Sequence, residues 1–325
     1  MEKTTSFHKV TSSKSFVLIL VLVLVLVVFC LINPNYLGWQ NIKNILYATS
    51  LSGTLAVGIG CMLISGSPDL SAGAVGMVGG ILVAMLLQAG IPWVPALLIT
   101  LVFGAVAGSI NAFFQLRFNM MPFISTLAMA SVWRGLGYVV TKAQSVSVAD
   151  PVFTKLGTAT LLGIPVPFVI TLILYIVYGI ILSSTKFGRR VYMIGGNRTA
   201  AELAGINIKK MRTILCINCS VIASLGGAIL AGRMHSATAG SVIGTEFDGI
   251  IASCLGGISF GGGSGGMVGA FIGLMLLGAF KNGLSCAGLN TYWQIVASGL
   301  LLIVALVVDY INAQVRAKAM SKKIA

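Results

Sequence analysis

Long uncharged apolar runs, separated by short polar segments, make up most of the chain. Because a membrane-spanning helix needs about 20 apolar residues, each run is long enough for at least one span. The pattern predicts about ten spans, which lie close to the following ranges: 16–32, 44–65, 70–89, 94–116, 120–140, 164–184, 213–232, 248–260, 266–281 and 291–309. The segment 248–260 is short, and about eight spans remain as the alternative if it re-enters the membrane without crossing it.

We therefore expect an all-α fold, a polytopic bundle of transmembrane helices in which some helices are broken. A single transmembrane domain would cover 15–312, with a polar tail at 1–14 before it and a basic tail at 313–325 after it. Lys and Arg beside spans are retained on the cytoplasmic side, so both tails are predicted to be cytoplasmic. The expected orientation is N-in and C-in.

The composition supports this class. Hydrophobic residues make up 57% of the chain, charged residues 9%, and the mean hydropathy is +0.99, all far outside the range of a soluble domain. The 40 glycines predict helices that approach one another closely through small faces. The net charge of +14 falls in loops and tails beside spans, where the topology rule explains it, so it does not indicate nucleic-acid binding.

The longest polar interruption is Phe187–Arg212, FGRRVYMIGGNRTAAELAGINIKKMR. It contains one acid, Glu202. Seven basic residues lie in it or directly before it: Lys186, Arg189, Arg190, Arg198, Lys209, Lys210 and Arg212. This excess of positive charge predicts a cytoplasmic loop.

Within the loop, Thr199 and Glu202 have the spacing of a capping box, in which hydroxyl and carboxylate satisfy the free amides of a helix start. Gly205 stands where such a helix would stop. The pattern predicts a helix of about two turns that exposes four small or apolar side chains: Ala200, Ala201, Leu203 and Ala204. Two interpretations stay open: the helix docks into a groove on a soluble partner, or it lies on the lipid surface.

This loop resembles the cytoplasmic loop of the ribose-type sugar permeases, the membrane subunits of bacterial ABC importers. In that family the loop contacts the ATPase subunit. The resemblance implies that the contact is made by the following residues: Arg189, Arg190, Gly195, Gly196, Asn197, Thr199, Ala200, Ala201, Glu202, Leu203, Ala204 and Gly205. It also implies a location in the bacterial inner membrane, a periplasmic sugar-binding protein as partner, contact with membrane lipid, and a second copy of the chain, with a related permease as the alternative to that copy.

A second stretch, Ser65–Gly80, SGSPDLSAGAVGMVGG, resembles the family signature Gly-Gly-Ile-Asp-Leu-Ser-Val-Gly, from which it departs at the isoleucine and at one glycine. Pro68 interrupts helical hydrogen bonding, so a discontinuous helix is predicted here. Asp69 or Ser71 could cap the next helix. The alternative is a conformational pivot near the transport pathway, since a charge inside the membrane is costly unless it is used.

A third stretch, Pro122–Tyr138, PFISTLAMASVWRGLGY, resembles the family segment Phe-Ile-x-Thr-Leu followed by Arg-Gly-Leu. Arg134 and Trp133 are predicted near the outer end of their span. The aromatic belts of membrane proteins favour an interfacial anchor with a snorkelling arginine. The alternative is a polar and aromatic lining along which a sugar passes.

A fourth stretch, Gly240–Gly257, GSVIGTEFDGIIASCLGG, places Glu246 and Asp248 at the outer mouth of the short span. These two carboxylates could favour the dipole of a helix start. They could also meet a basic patch on a docking binding protein, which the resemblance favours because the family has Glu-x-Asp before Ile-Ala. Acid and base catalysis is not indicated, because nothing else supplies a supported pocket.

The chain contains no GxxxxGK[ST] motif, so any ATP-driven work requires another subunit. No cofactor or metal site is predicted. The resulting interpretation is a permease subunit, without chemistry of its own, of an ABC importer for a monosaccharide such as ribose, xylose or galactose.

Two alternatives stay open. One is an ABC permease for a different small polar solute, such as a branched-chain amino acid, an autoinducer or a nucleoside. The other is an ion-coupled secondary transporter, which would need ionisable groups at mid-membrane. Apart from Asp69 and Arg134, the predicted spans offer almost none.

Overall fold

The computed structural model describes residues 14–324 except residue 243, so the N-terminal tail predicted over 1–14 lies almost wholly outside the described residues. The described residues form thirteen helices: α1 Lys14–Ile32, α2 Trp39–Ile64, α3 Ala72–Gln88, α4 Trp93–Arg117, α5 Pro122–Thr141, α6 Pro151–Thr158, α7 Val166–Ser184, α8 Lys186–Gly196, α9 Arg198–Leu203, α10 Ile208–Met234, α11 Thr245–Leu255, α12 Met267–Cys286 and α13 Thr291–Ile324. Four short strands accompany them: β1 Val146–Ser147, β2 Thr160–Leu161, β3 Ile164–Pro165 and β4 Ser236–Ala237. β1 pairs antiparallel with β4, and β2 with β3.

The all-α prediction is confirmed, since 77% of the structure is helical. Within the described residues, seven helices are long and apolar enough to cross a membrane: α2, α4, α5, α7, α10, α12 and the part of α13 over Thr291–Ile311. α1 and α3 are apolar but shorter. The last helix continues to Ile324, through the segment predicted as a tail.

α10 is the central helix and packs against α2, α3 and α4. Gly227 of α10 approaches Gly76 of α3 so closely that a Cβ on Gly227 would stand 1.7 Å from the Gly76 carbonyl oxygen. On α4, a Cβ on Gly108 would stand 2.6 Å from the carbonyl oxygen of Cys216. Small residues at these crossings let the backbones touch, which is how helices associate where lipid removes the hydrophobic driving force.

The other helices surround this centre. In α2, 83% of the most apolar stretch is buried, compared with 28% in α7 and 11% in α13. The exposed side chains of the outer helices are large and apolar, for example Val102 on α4 and Ile180 on α7. A continuous exposed apolar belt of this kind fits contact with lipid.

The bundle has two ends, which we name by their elements. The β1 end carries the four strands, α6 and the start of α2, where the Tyr47 hydroxyl donates to the carbonyl of Thr158. The α8 end carries α8, α9, the start of α10 and the end of α2. α10 runs from the α8 end to the β1 end, while α2 and α4 run in the opposite direction, as their contacts along α10 require.

Two short helices, α3 and α11, begin at the same place inside the bundle and run to opposite ends. α3 runs parallel to α10, since Gly76 lies beside Ala223 and Gly80 beside Gly227. α11 runs parallel to α2, and its second residue, Glu246, lies against Gly73 in the first turn of α3. Non-helical backbone precedes both helices, and inside a membrane such backbone is tolerated only where protein or water surrounds it.

Candidate functional site

A buried chain of hydrogen bonds starts at Asp69, in the break between α2 and α3. Asp69 is 0% exposed, and its Oδ1 accepts hydrogen bonds from the backbone amide of Ser71 at 2.8 Å and from the Ser71 hydroxyl at 2.6 Å. The side-chain amide of Asn111 on α4 donates to Ser71 Oγ at 2.7 Å. The indole of Trp133 on α5 donates to Asn111 Oδ1 at 2.9 Å. The chain ties the break to two neighbouring helices.

The break occurs where the sequence predicts it, and Ser71 occupies the N-cap position of α3. The Ser71 side chain makes no capping hydrogen bond to the helix; it belongs to the chain instead. Asp69 Oδ2 has no hydrogen-bond partner among the described residues. Asn111 was missed at the sequence level, because it stands alone in an apolar run with no motif around it.

The structure corrects the placement of Trp133. Its side chain is buried, 7% exposed, and packs edge-on against Phe103 with ring centroids 5.7 Å apart. The indole therefore faces neither lipid nor a cavity, as an anchor or a pathway lining would. Its fixed position comes from the hydrogen bond to Asn111 and from this aromatic contact.

Arg134 forms an ion pair with Glu246, with Nη2 and Oε1 3.2 Å apart. The arginine side chain is 32% exposed and the glutamate side chain 5%. Glu246 Oε2 has no hydrogen-bond partner among the described residues, and a Cβ on Gly73 would stand 2.2 Å from it. The carboxylate thus lies at the first turns of α3 and α11 together, where two helix dipoles favour negative charge. Arg134 is held by this pair and does not act as a free interfacial anchor.

Asp248 pairs with Lys281 of α12, with Oδ2 and Nζ 2.8 Å apart. The side chain of Asp248 is 16% exposed and that of Lys281 is 32% exposed. Glu246 and Asp248 both lie in the first turn of α11, as the interpretation based on the helix dipole predicts. The other interpretation, docking of a binding protein on these carboxylates, is not supported, because Glu246 is buried and Asp248 is neutralised within the chain.

The Asp248–Lys281 pair lines a polar cavity of about 380 Å³ between α2 and α12. The cavity lies in the half of the bundle near the β1 end, and its polar lining includes Asn44, Ser52, Asp248, Lys281, Ser285 and Gln294. A cavity of about 470 Å³ between α7 and α12 has an almost wholly apolar lining, for example Ile176 and Phe271. Of these two cavities, the first has the more polar lining and is the one suited to a polar solute.

The loop predicted as cytoplasmic contains two helices, α8 and α9. α9 begins after Asn197, whose Oδ1 accepts from the Ala200 amide at 3.0 Å, so the predicted capping box at Thr199 is wrong and Asn197 is the cap. Glu202 instead pairs with Arg198, 3.3 Å away on the next turn of the same helix. Gly205, with φ of +77°, follows the end of the helix as predicted, because glycine adopts this left-handed conformation at no steric cost.

The outward face of α9 differs from the prediction in one residue. Leu203 is 86% exposed, and Ala200 and Ala204 are exposed as well. Ala201 is 1% exposed and packs into the main core, so its predicted exposure is wrong. A helix of six residues with one buried anchor presents a small, exposed apolar tip among basic side chains.

α8 joins the loop to the end of α2 and to the glycine-rich segment 256–266 that follows α11. Its Gly195 lies against the end of α2, where a Cβ would stand 1.9 Å from the Ile64 carbonyl oxygen and 2.5 Å from the Gly263 amide. Gly263 donates to that same oxygen at 2.8 Å. The glycine-rich segment 256–266 after α11 therefore meets α2 and α8 at one point.

A side chain strengthens this contact. The hydroxyl of Tyr192 on α8 donates to the carbonyl of Gly265 at 2.8 Å. Partial burial raises the pKa of the Tyr192 hydroxyl, so the group remains a protonated donor at neutral pH. No pattern in the sequence indicates that the basic loop and the glycine-rich segment touch.

No cluster of three His, Cys, Asp or Glu side chains that could hold a metal ion occurs among the described residues. The six cysteines, all within the described residues, are free. The arrangement has three notable features: a polar cavity, two ion pairs at the start of α11, and a contact that joins the basic loop to the end of α2 and to segment 256–266.

Comparison with known proteins agrees with this arrangement. Residues 41–306 match a family described as branched-chain amino acid transport system / permease component. The chain is 34% identical over 284 residues to the ribose import permease protein RbsC of Bacillus subtilis, covering 87% of this chain and 88% of the relative. The ribose import permease protein RbsC of Escherichia coli K12 is 34% identical over 283 residues, covering 86% and 88%.

The L-arabinose transport system permease protein AraH of Escherichia coli K12 is 32% identical over 284 residues, covering 85% of this chain and 84% of the relative. No solved structure matches the chain. The matches confirm the resemblance to the ribose-type permeases.

Proposed function

The chain belongs to the family of branched-chain amino acid transport system permease components, and from this premise we propose that it is the membrane subunit of an ABC importer for a monosaccharide. It is a multi-pass protein of the bacterial inner membrane. The relatives named for ribose and arabinose match 87% and 85% of this chain, and this likeness supports a sugar as the solute. The observation that carries the proposal is this likeness over most of the chain together with a polar cavity of about 380 Å³.

We propose ten crossings with an N-in and C-in orientation, in a single domain over 15–312. The distribution of positive charge supports this orientation. Basic residues at the α8 end are Arg117, Lys186, Arg189, Arg190, Arg198, Lys209, Lys210 and Arg212. Those at the β1 end are fewer: Lys43, Lys142, Lys155 and Arg233. The α8 end would then be cytoplasmic.

The course of α11 supports ten crossings over eight. The segment before α11 carries β4, which pairs with β1 at one end of the bundle. The segment after α11 contacts Ile64 and Gly195 at the other end. A chain that enters at one end and leaves at the other crosses the bundle, although its helix has only 11 residues.

α9 is the proposed docking element for a cytoplasmic ATPase subunit, which would bind and hydrolyse the ATP. The exposed Leu203, with Ala200 and Ala204 beside it, supports a role as a small apolar knob that enters a groove on the partner. Buried Ala201 and the cap at Asn197 hold the knob on the membrane domain. Arg189, Arg190 and Gly196 lie on α8 next to it.

Motion of the ATPase would reach the pathway through α8. Closing of the ATPase dimer on ATP would displace α9 and α8, and the contact of Gly195 with Ile64 and Gly263 would pass the displacement to the helix break at Asp69 and to α11. Such a change of access requires that sugar and partner bind the two states unequally. Asp69 and Ser71 would act as a pivot, because their hydrogen bonds link the break to α4 and α5.

Further partners follow from the family. A periplasmic binding protein would deliver the sugar to the β1 end, and a second copy of the chain would complete the pathway, as in importers of this kind. Membrane lipid would cover the apolar faces of α4, α5 and α7.

Reconstitution tests the proposed function. The permease is incorporated into proteoliposomes with its ATPase and binding protein, and uptake of radiolabelled D-ribose, L-arabinose and L-leucine is measured with and without internal ATP. We expect ATP-dependent uptake of a sugar. ATP-dependent uptake of leucine alone would contradict the proposed solute, and sugar uptake driven by an ion gradient without ATP would favour a secondary transporter.

A further inference from the structure

We propose that the polar cavity beside Asp248 and Lys281 is a low-affinity binding station for the monosaccharide on its way from the binding protein to the cytoplasm. This inference rests on the proposed function and adds a location and a recognition chemistry to it. The station lies in the half of the bundle near the β1 end, where the sugar would arrive.

The cavity exposes one face of α2, a helix that is otherwise mostly buried. α2 has 83% of its most apolar stretch buried, yet Asn44 and Ala48 in its first half are exposed, and both line the cavity. The side chain of Asn44 makes no hydrogen bond to another described residue, whereas the side-chain amide of Asn41, one turn earlier, donates to Asn282 Oδ1 at 2.8 Å. A free amide on an exposed face of a buried helix is available to a solute.

The chemistry of the lining suits neighbouring hydroxyl groups. Asp248 Oδ2 is held by Lys281 at 2.8 Å, which leaves Oδ1 as an acceptor and further ammonium hydrogens as donors. A carboxylate and an ammonium side by side can accept from one hydroxyl and donate to the next, and hydrogen bonds to charged groups are the stronger kind. Ser285 and Gln294 extend this set on the facing helices.

The cavity also has a suitable volume for a sugar, and its lining should bind the sugar weakly, as a transient binding site requires. Its volume of about 380 Å³ falls in the range of about 300–1,000 Å³ typical of small-molecule sites. No aromatic ring lines it, so stacking on the sugar face, which would tighten binding, is absent among the described lining residues. A solute in transit has to leave again, so weak binding at such a site is favourable for transport.

Asp248 also links the station to the opposite end of the bundle. It lies in the first turn of α11, and the segment after α11 makes the contact with Ile64 and Gly195. A displacement of α8 that moves α11 would therefore change the distance between Asp248 and Lys281, which is on α12. The affinity of the station would then differ between the two access states.

The test measures sugar binding by the permease–ATPase complex in lipid nanodiscs without binding protein. Saturation-transfer difference NMR with D-ribose reports contact between sugar and protein. We expect a ribose signal for the wild type, and the dissociation constant taken from its concentration dependence should rise at least about tenfold, equivalent to about 1.4 kcal/mol, in Asp248→Asn and in Ser285→Leu. The matched control is Ser109→Leu, an exposed serine on the lipid-facing side of α4, which should keep the wild-type signal.

A second readout tests whether the station lies on the transport route. In proteoliposomes, the two cavity variants should lose sugar uptake, whereas Ser109→Leu should take up sugar at the wild-type rate. If Asp248→Asn does not fold, as size-exclusion chromatography would reveal, Ser285→Leu decides. A wild-type complex that takes up sugar but gives no ribose signal, or cavity variants with unchanged signal and uptake, would overturn the station and leave the proposed function standing. A wild-type complex that takes up no sugar would overturn the proposed function.

Discussion

Gly195 and Ile64 meet backbone to backbone at the α8 end of the bundle, where a Cβ on Gly195 would stand 1.9 Å from the Ile64 carbonyl oxygen. The same oxygen accepts a hydrogen bond from Gly263 at 2.8 Å. Three segments distant in sequence are thus joined without any side chain between them. This contact connects the basic loop to the end of α2, just before the break at Asp69, and to the segment that follows α11. The mechanism proposed above depends on it.

Gly195→Ala should disrupt this contact. The added methyl group meets backbone atoms, which cannot rotate away, and overpacking of this kind costs about 1–3 kcal/mol. We expect the rate of ATP-driven uptake in proteoliposomes to fall at least about tenfold, which corresponds to about 1.4 kcal/mol in activation free energy. Gly196→Ala is the matched control, since a Cβ on Gly196 meets nothing within 4 Å. Equal uptake by the two variants would show that the close contact is not needed for coupling.

Asn111→Leu should break the buried hydrogen-bond chain at its middle. The Trp133 indole would lose its acceptor, and a buried donor left unpaired costs about 1–3 kcal/mol. The Ser71 hydroxyl would lose the bond that it accepts from Asn111 and keep the one that it donates to Asp69. We expect a lower thermal unfolding midpoint in detergent, together with reduced uptake. Ser109→Ala on the same helix removes only a bond to the helix's own Ala105 carbonyl at 2.8 Å and should leave the midpoint unchanged. A midpoint equally unaffected in Asn111→Leu would argue that the chain does not stabilise the break.

Arg134→Met should leave the carboxylate of Glu246 buried without a counter-charge. Loss of one partner of a buried pair costs about 3–5 kcal/mol, and partial exposure of Arg134 lowers our expectation to about 2 kcal/mol. The control is Arg198→Met, which breaks the Arg198–Glu202 pair. The N–O distance is 3.3 Å in that pair and 3.2 Å in the Arg134–Glu246 pair, but the side chains of Arg198 and Glu202 are 54% and 52% exposed. Thermal unfolding of the two variants compares them directly. An equal, small shift in both would mean that the Arg134–Glu246 pair contributes no more than a surface pair.

The apolar runs predicted most of the fold. Nine of the ten predicted spans agree with observed helices to within five residues at each end, including the break at Pro68 and the short helix α11, because the length of an apolar run and the position of a proline or glycine decide where a membrane helix begins and ends. The last helix is the exception, since it continues from the predicted end at 309 to Ile324. The predicted cap at Thr199 failed for a local reason. Asn197, two residues earlier, is also a preferred N-cap residue, and the spacing rule gave no way to choose between them.

The candidate site was predicted less well, because ion pairs and hydrogen bonds between distant segments leave no pattern in one segment. Arg134 and Glu246 are 112 residues apart, and Asp248 and Lys281 are 33 residues apart. Taken singly, Arg134 indicates an interfacial anchor and Glu246 and Asp248 indicate docking charges, and neither ion pair can be inferred from them. The exposure of α9 was overestimated for a similar reason, since the burial of Ala201 depends on α8 and α10 packing around it.

The most direct test of the account is whether the exposed tip of α9 binds the ATPase. Leu203→Glu places a charge on the exposed tip of α9. The control is Leu162→Glu at the β1 end, because Leu162 is similarly exposed, 95% compared with 86% for Leu203. Each variant is purified from membranes in mild detergent, and the co-purifying ATPase subunit is quantified. We predict that Leu203→Glu inserts normally but loses the ATPase, while Leu162→Glu retains it. Full recovery of the ATPase with Leu203→Glu would contradict docking through α9.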